Sequence, residues 1–414
     1  MTPRTIVVGG GVIGAATAYY LARAGREVTI LEKGSFGAAC SRGNCGYVCP
    51  SHALPLAAPG VLWPTLKTLF QRNSPFKIRA RIDPHLWTWL LNFARRCNRD
   101  TMLADARALH AILQSSRSLY DELIAAENLA CEWEQRGLLF VYQTQRGLEH
   151  YAATDRLLRE EFNLGAERYD GAGLARLEPA IKPEIAGAWH YTGDAHLRPE
   201  RLMSELRRVL EHKQVHIREG CEFRGVECDG NKVTSVQTSL GHFAADAVVI
   251  ATGAWTPLLA KTIGKRLPIQ PGKGYSITMS RPTVCPRIPM IFEEHRVAIT
   301  PFASGYRIGS TMEFAGYDAS LNPARLQLLR DGAKLYLHEP FGGEVVEEWQ
   351  GWRPMTYDSK PIIGPAPGYA NLFVAAGHGM LGVSTATATG KLVAEQVTGV
   401  APHLDPRPYA VGRF

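Results

Sequence analysis

The 414-residue chain reads as an α/β protein, with a Rossmann-like nucleotide domain interleaved with an α+β domain built on an antiparallel sheet. Three observations carry this reading. A strand, a glycine-rich turn and a helix open the chain; a second strand ending in an acid follows; and short alternating segments fill residues 265–350. Parallel strands need a crossover between them, and the strand–turn–helix–strand order at the start supplies one.

In order along the chain, residues 5–8 are a buried strand, and Ile13, Ala16, Tyr20 and Ala24 recur at helical spacing. The apolar stretch 6–21 is broken by Gly9, Gly10, Gly11 and Gly14, and it falls short of the ~20 residues a membrane span needs. Residues 27–32 form the second strand after a stop at Gly25. From Pro55 to Asn128 the texture is helical, and residues 132–143 predict a strand pair around Arg136-Gly137. Residues 198–212 form an amphipathic helix with Pro199 in its first turn, and strands flank Asp229-Gly230-Asn231. Residues 246–251 are a buried strand; 296–300 and 306–309 alternate as antiparallel strands do. Residues 371–376 lead through a glycine-rich turn into a helix over 383–397. The nucleotide domain is thus expected at 1–80, 198–264 and 345–414, and the second domain at 81–197 and 265–344.

Composition narrows the class. With 45% hydrophobic and 21% charged residues the chain is neither disordered nor fibrous, and 40 Gly with 26 Pro fit an enzyme rich in tight turns. The net charge of +7 comes from 46 basic residues scattered among 39 acidic ones, which speaks against nucleic acid as a partner. Lys77-Ile78-Arg79-Ala80-Arg81-Ile82 alternates charged and apolar residues. It reads as a solvated loop, or as a strip touching anionic headgroups at up to ~1 kcal/mol per charge. No secretory leader precedes the eight cysteines, so reduced thiols in a cytoplasmic protein are expected. Cys40, Cys45, Cys49 and His52 are closely spaced, but no second close ligand pair follows, and no metal is expected.

Gly9, Gly11 and Gly14 have the G-x-G-x-x-G spacing, directly after one strand and at the start of a helix. Glycine lets the backbone approach a pyrophosphate, and the helix N-terminus supplies N–H groups and the positive end of its dipole. Glu32 closes the second strand 21 residues after Gly11, where a carboxylate reaches an adenosine ribose. An acid there disfavours a 2′-phosphate, yet the motif alone does not separate NAD from FAD.

Further segments separate them. Ser41, Asn44 and Gly46 follow the first crossover unit; Thr252, Gly253 and Trp255 follow the strand at 246; Gly377, His378, Gly379, Met380, Leu381 and Gly382 open the last helix. With Pro271-Gly272-Lys273-Gly274-Tyr275-Ser276 and the segment from Gly351 to Asp358, they resemble the FAD-dependent D-amino-acid oxidase superfamily over nearly the whole chain. Within it the chain looks most like the bacterial D-amino-acid dehydrogenases. Residues 44–52 depart from the usual small-residue pattern and resemble the branch that oxidises hydroxy-D-proline.

The resemblance implies non-covalently bound FAD, held by the glycines above with Glu32, Ser41, Asn44, Thr252, Trp255 and the 377–382 turn, with His378 touching the isoalloxazine. It implies oxidation of a D-amino acid to its imine, with D-proline or hydroxy-D-proline preferred. Arg353 would bind the substrate carboxylate, Tyr275 its other oxygen, and His52 a ring hydroxyl or an amine proton. A quinone acceptor and peripheral contact with the inner face of the membrane also follow. Trp87, Trp89, Leu90, Leu91 and Phe93, close to Arg95 and Arg96, suit either that contact or a buried core helix. An oxygen-using glycine or sarcosine oxidase, or a flavin-binding subunit of a larger complex, stay open as alternatives. An NAD-dependent dehydrogenase is disfavoured because the last glycine turn has no role in one.

Overall fold

The computed structural model describes residues 2–61, 76–79 and 82–414. Arg4–Val8 lies inside a six-stranded sheet, with Glu27–Leu31 and His216–Arg218 on one side. Ala247–Ile250, Leu372–Ala376 and Ile362–Pro365 lie on the other. All its pairings are parallel except that of the last two strands.

These strands are near-continuous apolar runs because both faces of the sheet are covered. Val7, Ile30, Val249 and Ala375 pack with the helices Val12–Arg23, Pro199–His212 and Gly382–Thr398. Ile6, Val8, Val248, Ile250 and Val374 pack against Val233 and Val236. Those two belong to an antiparallel meander of Phe223–Asp229, Lys232–Thr238 and Gly241–Ala244.

The first helix departs from its expected stripe. Ala16 is buried but Ala24 is exposed, while Val12, Ala15, Ala18, Tyr19 and Leu21 are buried as well. Helices as well as the sheet enclose it, so periodicity underestimates its burial. The last helix crosses so closely that a Cβ on Gly390 would sit 2.5 Å from the carbonyl carbon of Ala16.

The larger sheet has nine strands. Its path runs Val345–Thr356, Ile269–Met279, Gly305–Phe314, Val297–Phe302, Met290–Phe292, Leu138–Tyr142, Gly187–Tyr191 and Glu167–Asp170, with Phe76–Ile78 beside Gly305–Phe314. It is mixed, since Met290–Phe292 pairs parallel to Leu138–Tyr142, and Phe76–Ile78 parallel to Gly305–Phe314. Val345–Thr356, placed by sequence in the nucleotide domain, pairs along its length with Ile269–Met279 instead. The strand pair expected around Arg136-Gly137 is one strand, Leu138–Tyr142, preceded by a single bridge from Glu134 to His196. The helix Pro323–Tyr336 interrupts the run read as sheet and covers it through Leu326, Leu329 and Ala333.

The helix Pro84–Arg96 starts at Asp83, whose side chain accepts the N–H groups of His85 and Leu86. It is part core and part surface: Leu86 and Trp89 pack with Phe314 and Met355, whereas Trp87 is 56% and Leu91 52% exposed. Of the basic strip, Ala80 and Arg81 lie outside the described residues; Lys77 and Arg79 are exposed, with Arg79 paired to Asp318. Among the described residues no helix is long and apolar enough to cross a membrane.

Candidate active site

The C-terminal ends of three central strands, at Val8, Leu31 and Ala251, border a cavity of about 1860 Å³ closed on its far side by the larger sheet. Small-molecule sites usually measure ~300–1,000 Å³, so this one has room for a dinucleotide and a substrate together.

Two helix N-termini meet the cavity, at Val12 and at Gly382, and neither has a side-chain cap. The helices beginning at Pro84, Arg99, Gln145, Gly171 and Pro323 are all capped, by Asp83, Asn98, Thr144, Asp170 and Asn322. The first N–H groups of a helix have no partner within it, so those left uncapped at a cavity suit an anion or an electron-rich ring edge. At the first helix only Val12 is served, by Ser41 Oγ at 2.9 Å. Gly14 does not line the cavity; a Cβ there would lie 1.9 Å from the Gly9 carbonyl oxygen, so it closes the turn. Glu32 accepts the N–H groups of Gly10 at 2.7 Å and Gly34 at 2.8 Å, which leaves one lone pair per oxygen for ribose hydroxyls. Asn44 shapes its own loop, accepting from the Gly46 N–H at 2.8 Å and donating to the Cys40 and Ser41 carbonyls. Thr252, Gly253 and Trp255 line the same space, and Lys33 Nζ stands 4.3 Å from the Trp255 ring. The cradle fits FAD: Glu32 would hold the ribose, the N-terminus of the first helix the pyrophosphate, and the N-terminus of the last helix the flavin ring.

In the 377–382 turn, Gly377 and Gly379 have φ of +74° and +55°, which glycine alone adopts at no steric cost. The Gly379 N–H donates to the Pro354 carbonyl at 3.0 Å and ties the turn to the strand carrying Arg353. The His378 imidazole is buried against Thr389 Oγ1 at 3.1 Å, and burial holds its pKa down at about 3. His378 borders the cavity together with Gly379, Met380, Leu381 and Gly382, while its Nε2 is held by the last helix.

Arg353 stands opposite Gly272, and a Cβ on Gly274 would lie 2.4 Å from its Cζ. Nη1 donates to the Thr311 carbonyl at 2.7 Å, and among the described residues no carboxylate pairs with the guanidinium. Ser310 and Thr311 have φ of +112° and +52°, a strained bulge that re-aims the strand here. Burial pushes the Arg353 pKa down, with Cys40 and Cys45 opposing the shift. A half-buried cation with five donors and one carbonyl partner at the wall of a cavity calls for an anion.

Tyr275 borders the cavity, but its hydroxyl is engaged elsewhere. Side chains alternate across a strand, so Lys273, Tyr275 and Ile277 face away from Gly272, Gly274 and Arg353. The Tyr275 hydroxyl donates to Glu313 Oε2 at 2.8 Å, and burial first, then Glu313, raises its pKa. It is not placed to share a carboxylate with Arg353.

His52 lines the cavity on the short turn Pro50–Ala53, its ring 5.5 Å from Phe140. Burial, with Arg296 adding to it, lowers its pKa to about 4, so the imidazole is neutral near pH 7. Nδ1 lies 3.4 Å from Ser51 Oγ, which reaches Asp194 Oδ2 at 2.5 Å. Sequence reading missed Ser51 and Asp194, since nothing local links residues 143 apart. Cys40, Cys45 and Cys49 also border the cavity, and burial raises all three thiols, Cys40 to about 11. Protonated thiols are poor nucleophiles, which opposes a covalent flavin link.

Comparison with known proteins gives the family. The model of the FAD dependent oxidoreductase family matches residues 4–396. The D-amino acid dehydrogenase of Granulibacter bethesdensis is 33% identical over 421 aligned positions, covering 99% of each chain. That of Methylobacterium nodulans is 34% identical over 416, covering 97% of this chain and 96% of the relative. Among solved structures, glycine oxidase from Geobacillus kaustophilus superposes with a TM-score of 0.81 at 24% identity, covering 100% of both chains. L-proline dehydrogenase from P. horikoshii gives 0.73 at 19%, covering 99% of this chain and 97% of that one. The glycine cradle, the two helix N-termini that open on the cavity and the full-length match make this chain a member of the FAD-dependent oxidoreductase family, with FAD as its cofactor.

Proposed function

We propose that the chain oxidises a D-amino acid at Cα, with D-proline or hydroxy-D-proline preferred, and passes the electrons to a quinone. One observation carries the reading: Arg353 is a half-buried guanidinium that has no carboxylate partner among the described residues and borders the cavity that fits the cofactor. Its planar fork takes a carboxylate through two parallel N–H···O bonds and so fixes Cα. His52, neutral near pH 7, accepts the proton that the substrate ammonium must lose, or a hydrogen bond from a ring hydroxyl. Bound FAD supplies the acceptor for two electrons and the Cα hydrogen. The uncapped N–H groups at Gly382 stabilise negative charge arising beside them. Phe140, Tyr151, Ile291 and Met312 give the cavity an apolar wall suited to ring methylenes. The full-length relatives named D-amino acid dehydrogenase support the D-configuration.

A cyclic substrate yields a pyrroline carboxylate and no ammonia; a primary amine yields a keto acid and ammonia. Turnover with a soluble quinone is expected to be fastest for D-proline or hydroxy-D-proline, ahead of D-alanine, glycine and L-proline. Preference for glycine with stoichiometric hydrogen peroxide in air would overturn the reading in favour of an oxidase.

Membrane contact is the second part of the proposal. Trp87, Leu91 and Arg95 follow one another at four-residue steps on the exposed side of the helix Pro84–Arg96. An apolar pair beside a cation suits the interfacial region. The protein is expected to float with anionic liposomes and Leu91→Ser to reduce that fraction; parent protein left wholly in the dense layer would refute the contact.

A further inference from the structure

His52 Nδ1, Ser51 Oγ and the Asp194 carboxylate form one line that runs from the cavity into the core. Asp194, 2% exposed, lies in the turn between Gly187–Tyr191 and Ala195–His196. It accepts from Ser51 twice, from the hydroxyl at 2.5 Å and from the backbone N–H at 3.1 Å. Among the described residues no cation forms a salt bridge with it. We propose that Asp194 acts through Ser51 as a positioning residue that selects the ring tautomer of His52, and thereby decides whether the nitrogen facing the cavity is a base.

The logic is proton counting. An ionised carboxylate only accepts, so the single Ser51 proton points at Asp194, and Ser51 meets His52 with a lone pair. Nδ1 must then carry the imidazole proton, which leaves Nε2 as an acceptor with no protein partner among the described residues. When Asp194 is protonated the order reverses: the acid donates to Ser51, Ser51 donates to Nδ1, and Nε2 carries the proton. In that state Nε2 is unable to take a proton from an ammonium. Burial raises Asp194 to about 7, opposed by the two Ser51 bonds and by Arg117 of the helix Arg99–Glu127. The other titratable groups coupled to it are the Cys49 thiol and the Tyr191 hydroxyl, and Arg296 faces His52. Both Cys49 and Tyr191 are held above their usual range, so they stay neutral while Asp194 titrates.

This inference rests on His52 being the base in the proposed reaction, and the test separates the two. Holoenzyme labelled with 15N-histidine is titrated from pH 5.5 to 8.5, and anaerobic flavin reduction by D-proline is timed at pH 8. The His52 signals are expected to show Nδ1–H at pH 8 and to cross to Nε2–H below about pH 7. Asp194→Asn and Ser51→Ala are expected to show Nε2–H throughout and to slow reduction by about 10²–10⁴-fold, with FAD content unchanged. Ser51→Thr, which keeps the hydroxyl, is expected to restore the parent pattern. If Asp194→Asn fails to fold, Ser51→Ala carries the test. Parent enzyme showing Nε2–H at pH 8, or Ser51→Ala keeping Nδ1–H, overturns the inference. His52→Gln with unchanged flavin reduction overturns instead the assignment of His52 as base.

Discussion

Replacing Arg353 by Met separates a substrate anchor from a structural cation. In the structure the guanidinium donates to one carbonyl, Thr311 O at 2.7 Å, and to no carboxylate among the described residues. Hydrogen bonds to charged groups contribute about 1.5–3 kcal/mol each, so losing a bidentate grip costs about 3–6 kcal/mol. At ~1.4 kcal/mol per decade that is a loss of roughly 100- to 20,000-fold in kcat/KM. Carboxylate binding is made in ground and transition states alike, so most of the loss is expected in KM. Stability should move the other way. An apolar side chain of similar volume in place of a half-buried, poorly partnered cation is expected to be neutral or mildly stabilising. The assay is anaerobic stopped-flow bleaching of the flavin against substrate concentration, paired with thermal unfolding. Normal saturation together with a lowered Tm would show that Arg353 holds the fold and not the substrate.

Tyr275→Phe should leave KM unchanged and lower stability by about 1–2 kcal/mol, because the hydroxyl serves Glu313 on the far face of the sheet; a large rise in KM would refute that orientation. Gly14→Ala should give protein with little bound flavin, since the new Cβ meets a backbone carbonyl at 1.9 Å; full FAD occupancy by absorbance would contradict it. Asp194, at about 7 in the fold against an ordinary 3.8, holds more protons folded than unfolded between those values. Its contribution to stability therefore falls as pH rises through that window. Asp194→Asn should melt above the parent at pH 8, by the equivalent of a few kcal/mol at ~1.36 kcal/mol per pKa unit, with the gap closing toward pH 4. A gap that widens on acidification would reverse the assignment.

What could be read in advance was local. The cradle at Gly9 and Gly11, Glu32 at the strand end and the left-handed Gly377 and Gly379 are fixed by turn geometry within a few residues, and they are legible as a string. Arg353 was legible by residue type in a recognisable segment, but its lack of a carboxylate partner was not, because register with Gly272 is a tertiary fact. The same register turned Tyr275 away: the alternation of small residues at 272, 274 and 276 marks one face, yet only the pairing says that Arg353 shares it. Nε2 of His378 found Thr389 eleven residues on, inside the helix its own turn opens, and Asp194 reached Ser51 across 143 residues. Burial on all sides hid the first helix's true packing from periodicity, since Ala and Gly at crossings carry little amphipathic signal.

The most direct test of the central claim is the visible spectrum of the purified protein under anaerobic conditions, before and after separate additions of D-proline, hydroxy-D-proline, L-proline, D-alanine, glycine and sarcosine. An oxidised flavin spectrum bleached most rapidly by D-proline or hydroxy-D-proline, with L-proline inert, is the predicted result. A flavin that stays oxidised with every D-amino acid, or that L-proline bleaches instead, would contradict the account.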